Sequence, residues 1–180
     1  MADAIARAGA LEGRFLNDEG ITLVRAEPAT RLLLRAPETA LKPLSKALGL
    51  DLPQRPKASV SGGKRAALWL GPDEWLVIDE NGGDLMEDCA SVSAFHSAVD
   101  VSHRNTAVLV SGPRVEAVLN AGCPQDLSLD VFPVGACSRT VFGKAEVILW
   151  RTERDAFRVE CWRSFSDYVF MLLEAASRDR

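Results

Sequence analysis

The sequence predicts an α+β fold made of two pseudo-repeated split βαβ halves of ferredoxin-like type, each an antiparallel sheet with helices on one face. Three observations predict it. Apolar stretches of strand length recur between turn signals, and segments with three- and four-residue apolar spacing fall between them. The order strand, helix, hairpin, helix, strand is followed by strand, helix, three strands, helix. The halves share this order without sharing residue identities, so the repeat is one of architecture only.

Residues 1–25 carry glycines at Gly9, Gly13 and Gly20 and little patterning. Residues 1–29 are therefore expected to be an extended N-terminal arm outside the core, leaving residues 30–180 as a single α+β body. Residues 31–35 (RLLLR) are a short apolar strand. Pro37 opens a helix to about Leu48, with Leu41, Leu44 and Leu48 on one face and Gly49 as a stop. Pro43 lies inside that helix and is expected to kink it. Residues 51–64 are rich in Pro, Ser and Gly and read as a loop running into a hairpin edge.

The clearest local signal covers 66–79, where AALWL and EWLVI are apolar strands separated by Gly71-Pro72-Asp73, and Pro followed by Asp is turn chemistry. Trp69 and Trp75 flank the turn, in position to pair across it. Asn81-Gly82-Gly83 breaks the second strand, 84–90 is a short helix, and 95–102 (FHSAVDVS) alternates as a strand.

The second half opens with a strand at 105–112 (NTAVLVSG), and Gly112-Pro113 starts a helix with Val115, Val118 and Leu119 on one face. Ala121-Gly122-Cys123-Pro124 ends it, and a loop carries Asp126, Asp130 and Pro133. Strands at 138–142, 146–151 and 156–162 follow in close succession. In the last, Val159 and Cys161 alternate with Arg158 and Glu160, which predicts one wet face. A final helix runs over about 165–177, with Ser164 as N-cap and Asp167 three residues on.

A chain of 180 residues can bury roughly 70% of its unfolded surface and needs no covalent staples. Hydrophobic residues at 47% and charged residues at 26% are ordinary globular composition and exclude wholesale disorder. A net charge of −4 argues against a nucleic-acid partner, which needs a clustered basic surface. The basic cluster Arg55, Lys57, Lys64 and Arg65 is diluted by Pro, Ser and Gly. No apolar run reaches the roughly 20 residues of a membrane span, and the N-terminus MADAIARAGA lacks the apolar core of a secretory signal. No membrane partner and a cytoplasmic location are expected. Cys89, Cys123, Cys137 and Cys161 form no C-x-x-C pair and, in a reducing compartment, read as small buried hydrophobes.

The search for chemistry returns near-misses. His96 and His103 lie seven apart around a strand, and no Cys or His pair has zinc spacing, so no metal site is expected. Ser102 and His103 are adjacent, which is poor geometry for a Ser–His pair, and there is no G-x-S-x-G elbow. Cys123 reads as a structural thiol. Ser61-Gly62-Gly63-Lys64 resembles the end of a phosphate loop, but the first glycine of that pattern would fall at Ala58 and Arg65 replaces Ser or Thr.

Two constellations remain. Asp100-Val101-Ser102-His103-Arg104-Asn105 is a polar crossing between apolar strands; Asp100, His103 and Arg104 are its candidate contacts to a ligand or partner. The local alternative has Arg104 paired with a nearby carboxylate and Asn105 capping a turn. Trp69, Trp75, Trp150 and Trp162 fall on strands and suit either core filling or an interface. No catalytic residue and no confident cofactor contact is assigned.

ALWLGPDEWLV at 67–77 resembles the hairpin of the gamma subunit family of bacterial heterotetrameric sarcosine oxidases. The likeness continues in VDVSHR at 99–104 and SGPRVEAVLNAGCPQDLSLDVFPVGACSRTVFGKAEVILWR at 111–151, ends with FRVECWRSFSDYVFMLLEAA at 157–176, and covers roughly residues 30–177. That family in turn resembles the folate-binding aminomethyltransferases such as the glycine cleavage T-protein, which implies their folate-domain fold for residues 30–180. The resemblance implies an oxidase of four different chains that demethylates sarcosine to glycine. Hydrogen peroxide is formed, with formaldehyde, or methylenetetrahydrofolate when tetrahydrofolate is present. It implies NAD, FAD and FMN on the alpha and beta chains, zinc on the delta chain, and no cofactor on this one. On that basis the chain is expected to be a non-catalytic structural subunit with alpha, beta and delta partners. It would support the flavin-bearing beta chain most directly, partly through the N-terminal arm. Beside this stand two other readings. One is a stand-alone folate-binding or folate-dependent aminomethyltransferase-like module with Asp100 anchoring the pterin. The other is a general protein-interaction domain.

Overall fold

In the computed structural model, which describes residues 9–18 and 20–179, the first part of the chain runs β1 (Phe15–Asp18), β2 (Ile21–Arg25), β3 (Thr30–Arg35), α1 (Glu38–Leu48), β4 (Ser59–Gly62), β5 (Arg65–Gly71), β6 (Glu74–Asp79), α2 (Leu85–Ala90) and β7 (Ser97–Asp100). It continues through β8 (Asn105–Ser111), α3 (Val115–Asn120), β9 (Cys137–Phe142), β10 (Ala145–Glu153), β11 (Ala156–Trp162), a 3-10 turn (Arg163–Phe165) and α4 (Ser166–Arg178). Strands β4-β5-β6-β3-β7 form a five-stranded sheet and β1-β2-β8-β11-β10-β9 a six-stranded one, both antiparallel throughout.

Period-2 alternation then fixes the layers. Leu32 and Leu34 of β3, Ala67 of β5, and Trp75 and Val77 of β6 pack under Leu41, Leu44 and Leu48 of α1 and Leu85 of α2. On the six-stranded sheet, Val108, Val110, Val147, Leu149, Phe157 and Val159 pack under α3 and α4. The opposite faces meet each other: Leu68, Leu76 and Ile78 of one sheet pack against Cys137 and Ile148 of the other, with Val101. The order of layers is helices, sheet, sheet, helices, and Ala29, Leu33, Leu70 and Trp150 are partly buried around the apolar cluster of the seam.

The tryptophan hairpin has the register its turn implies, with Trp69 opposite Trp75. Trp75 is fully buried and donates from Nε1 to the Pro53 carbonyl at 2.7 Å. Helix α1 passes through Pro43 without interruption and ends on Gly49 at φ 64°. Pro43 and Thr39, whose carbonyl loses its donor, both lie on the exposed face, where the unbonded carbonyl is open to solvent. Ser164 does not cap α4: it sits in the 3-10 turn, and Asp167 pairs instead with Arg14 at 3.3 Å.

Two expectations are corrected. Residues 15–25 are not an arm outside the core. Strand β2 pairs with β8, placing Thr22 opposite Ser111 and Val24 opposite Leu109, and Leu11, Ile21 and Leu23 are buried in the six-stranded core. The driving force is the edge of β8, whose amides and carbonyls would otherwise lie unpaired beside an apolar face. Gly112, at φ 127°, permits the approach, because a Cβ there would strike the Gly20 carbonyl. Residues 1–8 of the expected arm, and Glu19, lie outside the described residues. Second, β11 has no wet face: Arg158 and Glu160 are 2% and 1% exposed, because the other sheet covers them. Among the described residues no helix is long and apolar enough to cross a membrane.

Candidate functional site

The crossing from β7 to β8 divides the three candidates of the VDVSHRN segment. Asp100 closes β7, and its Oδ1 accepts from the Ser102 amide at 2.7 Å. Hydrogen bonding to the Ser102 hydroxyl and amide holds its carboxyl below the usual carboxylate range. The Ser102 Oγ in turn accepts from the Arg31 amide at 2.9 Å, tying the crossing to β3. Arg104 meets no carboxylate among the described residues: its guanidinium lies 5.3 Å from the Trp162 ring centre, and its Nε donates to Asn105 Oδ1 at 3.3 Å. His103 turns to the other side, into a cleft of about 290 Å³ that Asp100 and Arg104 do not line.

That cleft lies between the end of β2, the start of β3 and the crossing. Arg25, Arg31, Ser102, His103, Thr106 and Arg163 are among its walls, with Glu27 the one carboxylate among the described residues that line it. No aromatic side chain lines it. Its floor is Arg31, 3% exposed, which donates from Nε to Glu160 at 2.7 Å and from Nη1 to the Ala29 carbonyl at 3.0 Å. Glu160 accepts on its other oxygen from Arg158 Nε at 2.8 Å, and Arg158 Nη1 reaches Glu80 at 2.7 Å. Lys64 lies 3.5 Å from Glu80 at the outer end. A chain of charges therefore runs through the sheet–sheet seam from the cleft to the β4–β5 turn. Arg25 and Arg31 stand outside every motif of the sequence; the signal for Arg31 is an arginine sharing a β3 face with Leu33.

The remaining near-motifs resolve into structure. Gly63 and Lys64 form the two-residue turn between β4 and β5, Gly63 having φ 61°. The basic cluster around them is spent on neighbours: Arg65 binds Asp79 and Asp88, each at 2.8 Å, and Lys57 lies over the Phe132 ring. Burial pushes Asp79 up, but the Arg65 hydrogen bond and the Asn81 amide outweigh it and leave the carboxyl below its ordinary value. Cys123 is 6% exposed, with Sγ 3.9 Å from Thr140 Oγ1. His96 precedes β7 and bonds the Ala94 carbonyl through Nδ1 at 2.7 Å. Among the described residues no three His, Cys, Asp or Glu side chains gather as a metal would require.

One surface feature follows from sheet registry. Phe15, Val24, Leu109, Arg158, Trp150 and Cys137 stand opposite one another in a single row across the six-stranded sheet. The five-stranded sheet covers the row from Arg158 onward. Its other end is bare: Phe15, Val24 and Leu109 are 62%, 37% and 38% exposed. A contiguous apolar row on an uncovered sheet face is unusual for a surface with no partner.

Residues 36–179 match the family described as sarcosine oxidase, gamma subunit family. Sarcosine oxidase subunit gamma of Corynebacterium sp. (strain U-96) is 31% identical over 179 residues, spanning 94% of this chain and 86% of the relative. Its counterpart from Corynebacterium sp. (strain P-1) is 33% identical over 140 residues, spanning 74% and 68%. Among solved structures, a chain of the heterotetrameric sarcosine oxidase from Corynebacterium sp. U-96 superposes with a TM-score of 0.83 at 28% identity, covering 93% of this chain and 89% of that one. Glycine cleavage system aminomethyltransferase T from Bartonella henselae gives a TM-score of 0.67 at 14% identity, covering 88% of this chain and 46% of that one, a likeness of fold alone.

Proposed function

The chain belongs to the sarcosine oxidase gamma subunit family, and from that premise we propose that it is a non-catalytic structural subunit of a cytoplasmic heterotetrameric sarcosine oxidase. It seats against the flavin-bearing beta chain and joins the alpha and delta chains in the assembly. The chemistry, oxidative demethylation of sarcosine to glycine with formaldehyde or methylenetetrahydrofolate and hydrogen peroxide, belongs to the sister chains. So do NAD, FAD, FMN, zinc and tetrahydrofolate. We read the two sheets as the two split βαβ halves. In support, β2 stands beside β8 as β7 stands beside β3.

The observation that carries the structural role is the bare apolar row Phe15, Val24 and Leu109. Two of these residues lie on β1 and β2, so the N-terminal segment contributes to assembly as part of the sheet. The folate-module reading finds less support: Asp100 is engaged with Ser102, and the neighbouring cleft offers no aromatic ring to stack a pterin. Co-expression with the alpha, beta and delta chains tests the proposal. A stoichiometric complex is expected by size-exclusion chromatography. In the double variant Phe15→Asp, Leu109→Asp, recovery of this chain in the complex is expected to fall at least about tenfold while its own melting temperature holds. Wild-type protein that fails to bind the beta chain would sink the role, and a double variant that assembles normally would sink the surface.

A further inference from the structure

We infer that the outer edge of β7 is a strand-addition site, on which an extended segment of a sister chain pairs as a further strand of the five-stranded sheet. That the segment comes from a sister chain rests on the proposed assembly; that it is a strand rests on the sheet itself. In the six-stranded sheet β8 stands between β11 and β2, and β2 carries β1 outside it. In the five-stranded sheet β3 stands between β6 and β7, and among the described residues no strand lies outside β7. Corresponding strand positions therefore end in a covered edge on one sheet and an open edge on the other.

Register gives the direction of the free backbone groups. Val99 stands opposite Leu33 and Asp100 opposite Leu32, and the Val101 amide donates to the Arg31 carbonyl at 2.9 Å. Antiparallel bonding alternates along a strand, so Ser97 and Val99 also turn their amides and carbonyls toward β3, while Ala98 and Asp100 turn theirs away. Outward donors and acceptors at two-residue spacing are what an added strand pairs with, and a helix, whose backbone groups are already bonded, cannot take that place. Free edges are ordinarily protected by lysine, proline or a bulge. β7 has none of these, and its one charge, Asp100, is its last residue. Its flank is apolar: Val99 is 50% exposed, and Phe95, two residues before the strand, is 85% exposed. Val99 ends the cross-strand row Leu68, Leu76, Leu33, Val99, whose first two members are fully buried in the seam. An apolar residue next to Val99 on the incoming strand continues that row. On the other face Asp100, whose carboxyl Ser102 keeps below the usual carboxylate range, calls for lysine or arginine opposite it. The partner segment is thus extended, apolar on one face and cationic on the other.

Hydrogen exchange resolved to single amides by mass spectrometry tests this, comparing the free full chain with the heterotetramer obtained by co-expression. The Ala98 and Asp100 amides are expected to exchange at least about tenfold more slowly in the complex. Ala98→Pro removes an outward donor and leaves the pairing with β3 intact, because proline is tolerated on an edge strand where the lost N–H faces solvent. It should keep the wild-type melting temperature and lower recovery of this chain in the complex at least about tenfold. Val99→Asp, a side-chain change on the same edge, is a second variant with the same two expectations. Unchanged exchange at Ala98 and Asp100 in a complex that forms, or wild-type recovery of either variant, would overturn the inference and leave the assembly standing. A wild-type chain that enters no complex would overturn both. Slow exchange of these amides already in the free chain would also overturn it. Slowing that grows with concentration would then assign the edge to a second copy, and slowing lost on deletion of residues 2–8 would assign it to the chain's own N-terminus.

Discussion

Glu160 is 1% exposed and accepts hydrogen bonds from Arg31 and Arg158 at 2.7 and 2.8 Å, which makes its carboxylate the element that allows two guanidiniums to sit between the sheets. Removing one partner of a buried ion pair leaves the others charged and unsolvated, at a cost of about 3–5 kcal/mol. Glu160→Ala is therefore expected to lose about that much by urea denaturation, and Glu160→Gln less, since the amide oxygen still accepts one bond. A loss under about 1 kcal/mol for the alanine variant would show that water reaches the seam and solvates the arginines. In the sequence Arg158 and Glu160 alternate strictly with Val159 and Cys161, a pattern that predicts a wet face. Alternation reports which residues share a face; it carries no information on what covers the face. The same blindness hid Arg31, since ionic contacts between β3 and β11 join residues 129 positions apart.

At the scale of elements, what was legible is what is local. The hairpin of β5 and β6, helix α1 with its Gly49 stop, and the three closely spaced strands β9, β10 and β11 each have their turn chemistry and apolar spacing within about a dozen residues. Strand β2 was not legible, because its five residues follow a glycine and gain their strand identity only from the distant β8. Its contribution can be measured by adjacent positions on opposite faces. Leu23 is fully buried under α3 and α4, whereas Val24 is 37% exposed on the bare row. Leu23→Ala is expected to cost about 2–5 kcal/mol and Val24→Ala under about 1 kcal/mol, both read from denaturant midpoints. Similar costs at the two sites would mean that β2 frays from β8 and that the N-terminal segment is an arm after all. Sequence could not divide the polar VDVSHRN crossing: only the fold turns His103 into the cleft and sends Arg104 to Trp162.

At the scale of the molecule, the question is whether two sheets with their own helices unfold as one. The cysteines report on it, because Cys89 lies in the core between the five-stranded sheet and its helices, Cys137 in the sheet–sheet seam, and Cys161 in the core of the six-stranded sheet. All three are shielded from water. Burial, reinforced by the Asp88 charge, pushes the Cys89 thiol up to about 11, while burial pushes Cys137 and Cys161 up to about 12. The thiolate is the reactive form, so at pH 8 these groups combine a small ionised fraction with no access, and an aromatic disulfide reagent should leave them unmodified in the native protein. The seam joins the two sheets through an apolar cluster and a buried ion chain that neither sheet can satisfy alone, since separation would bring Arg31 and Glu160 apart and expose Leu68, Leu76 and Ile148. One cooperative transition is the consequence. Along a urea series, mass-spectrometric labelling at Cys89, Cys137 and Cys161 is expected to follow a single midpoint that coincides with loss of tryptophan fluorescence. If Cys137 is labelled at lower urea than the other two, the sheets part before either unfolds, and if Cys89 and Cys161 differ, each sheet with its helices is an independent unit.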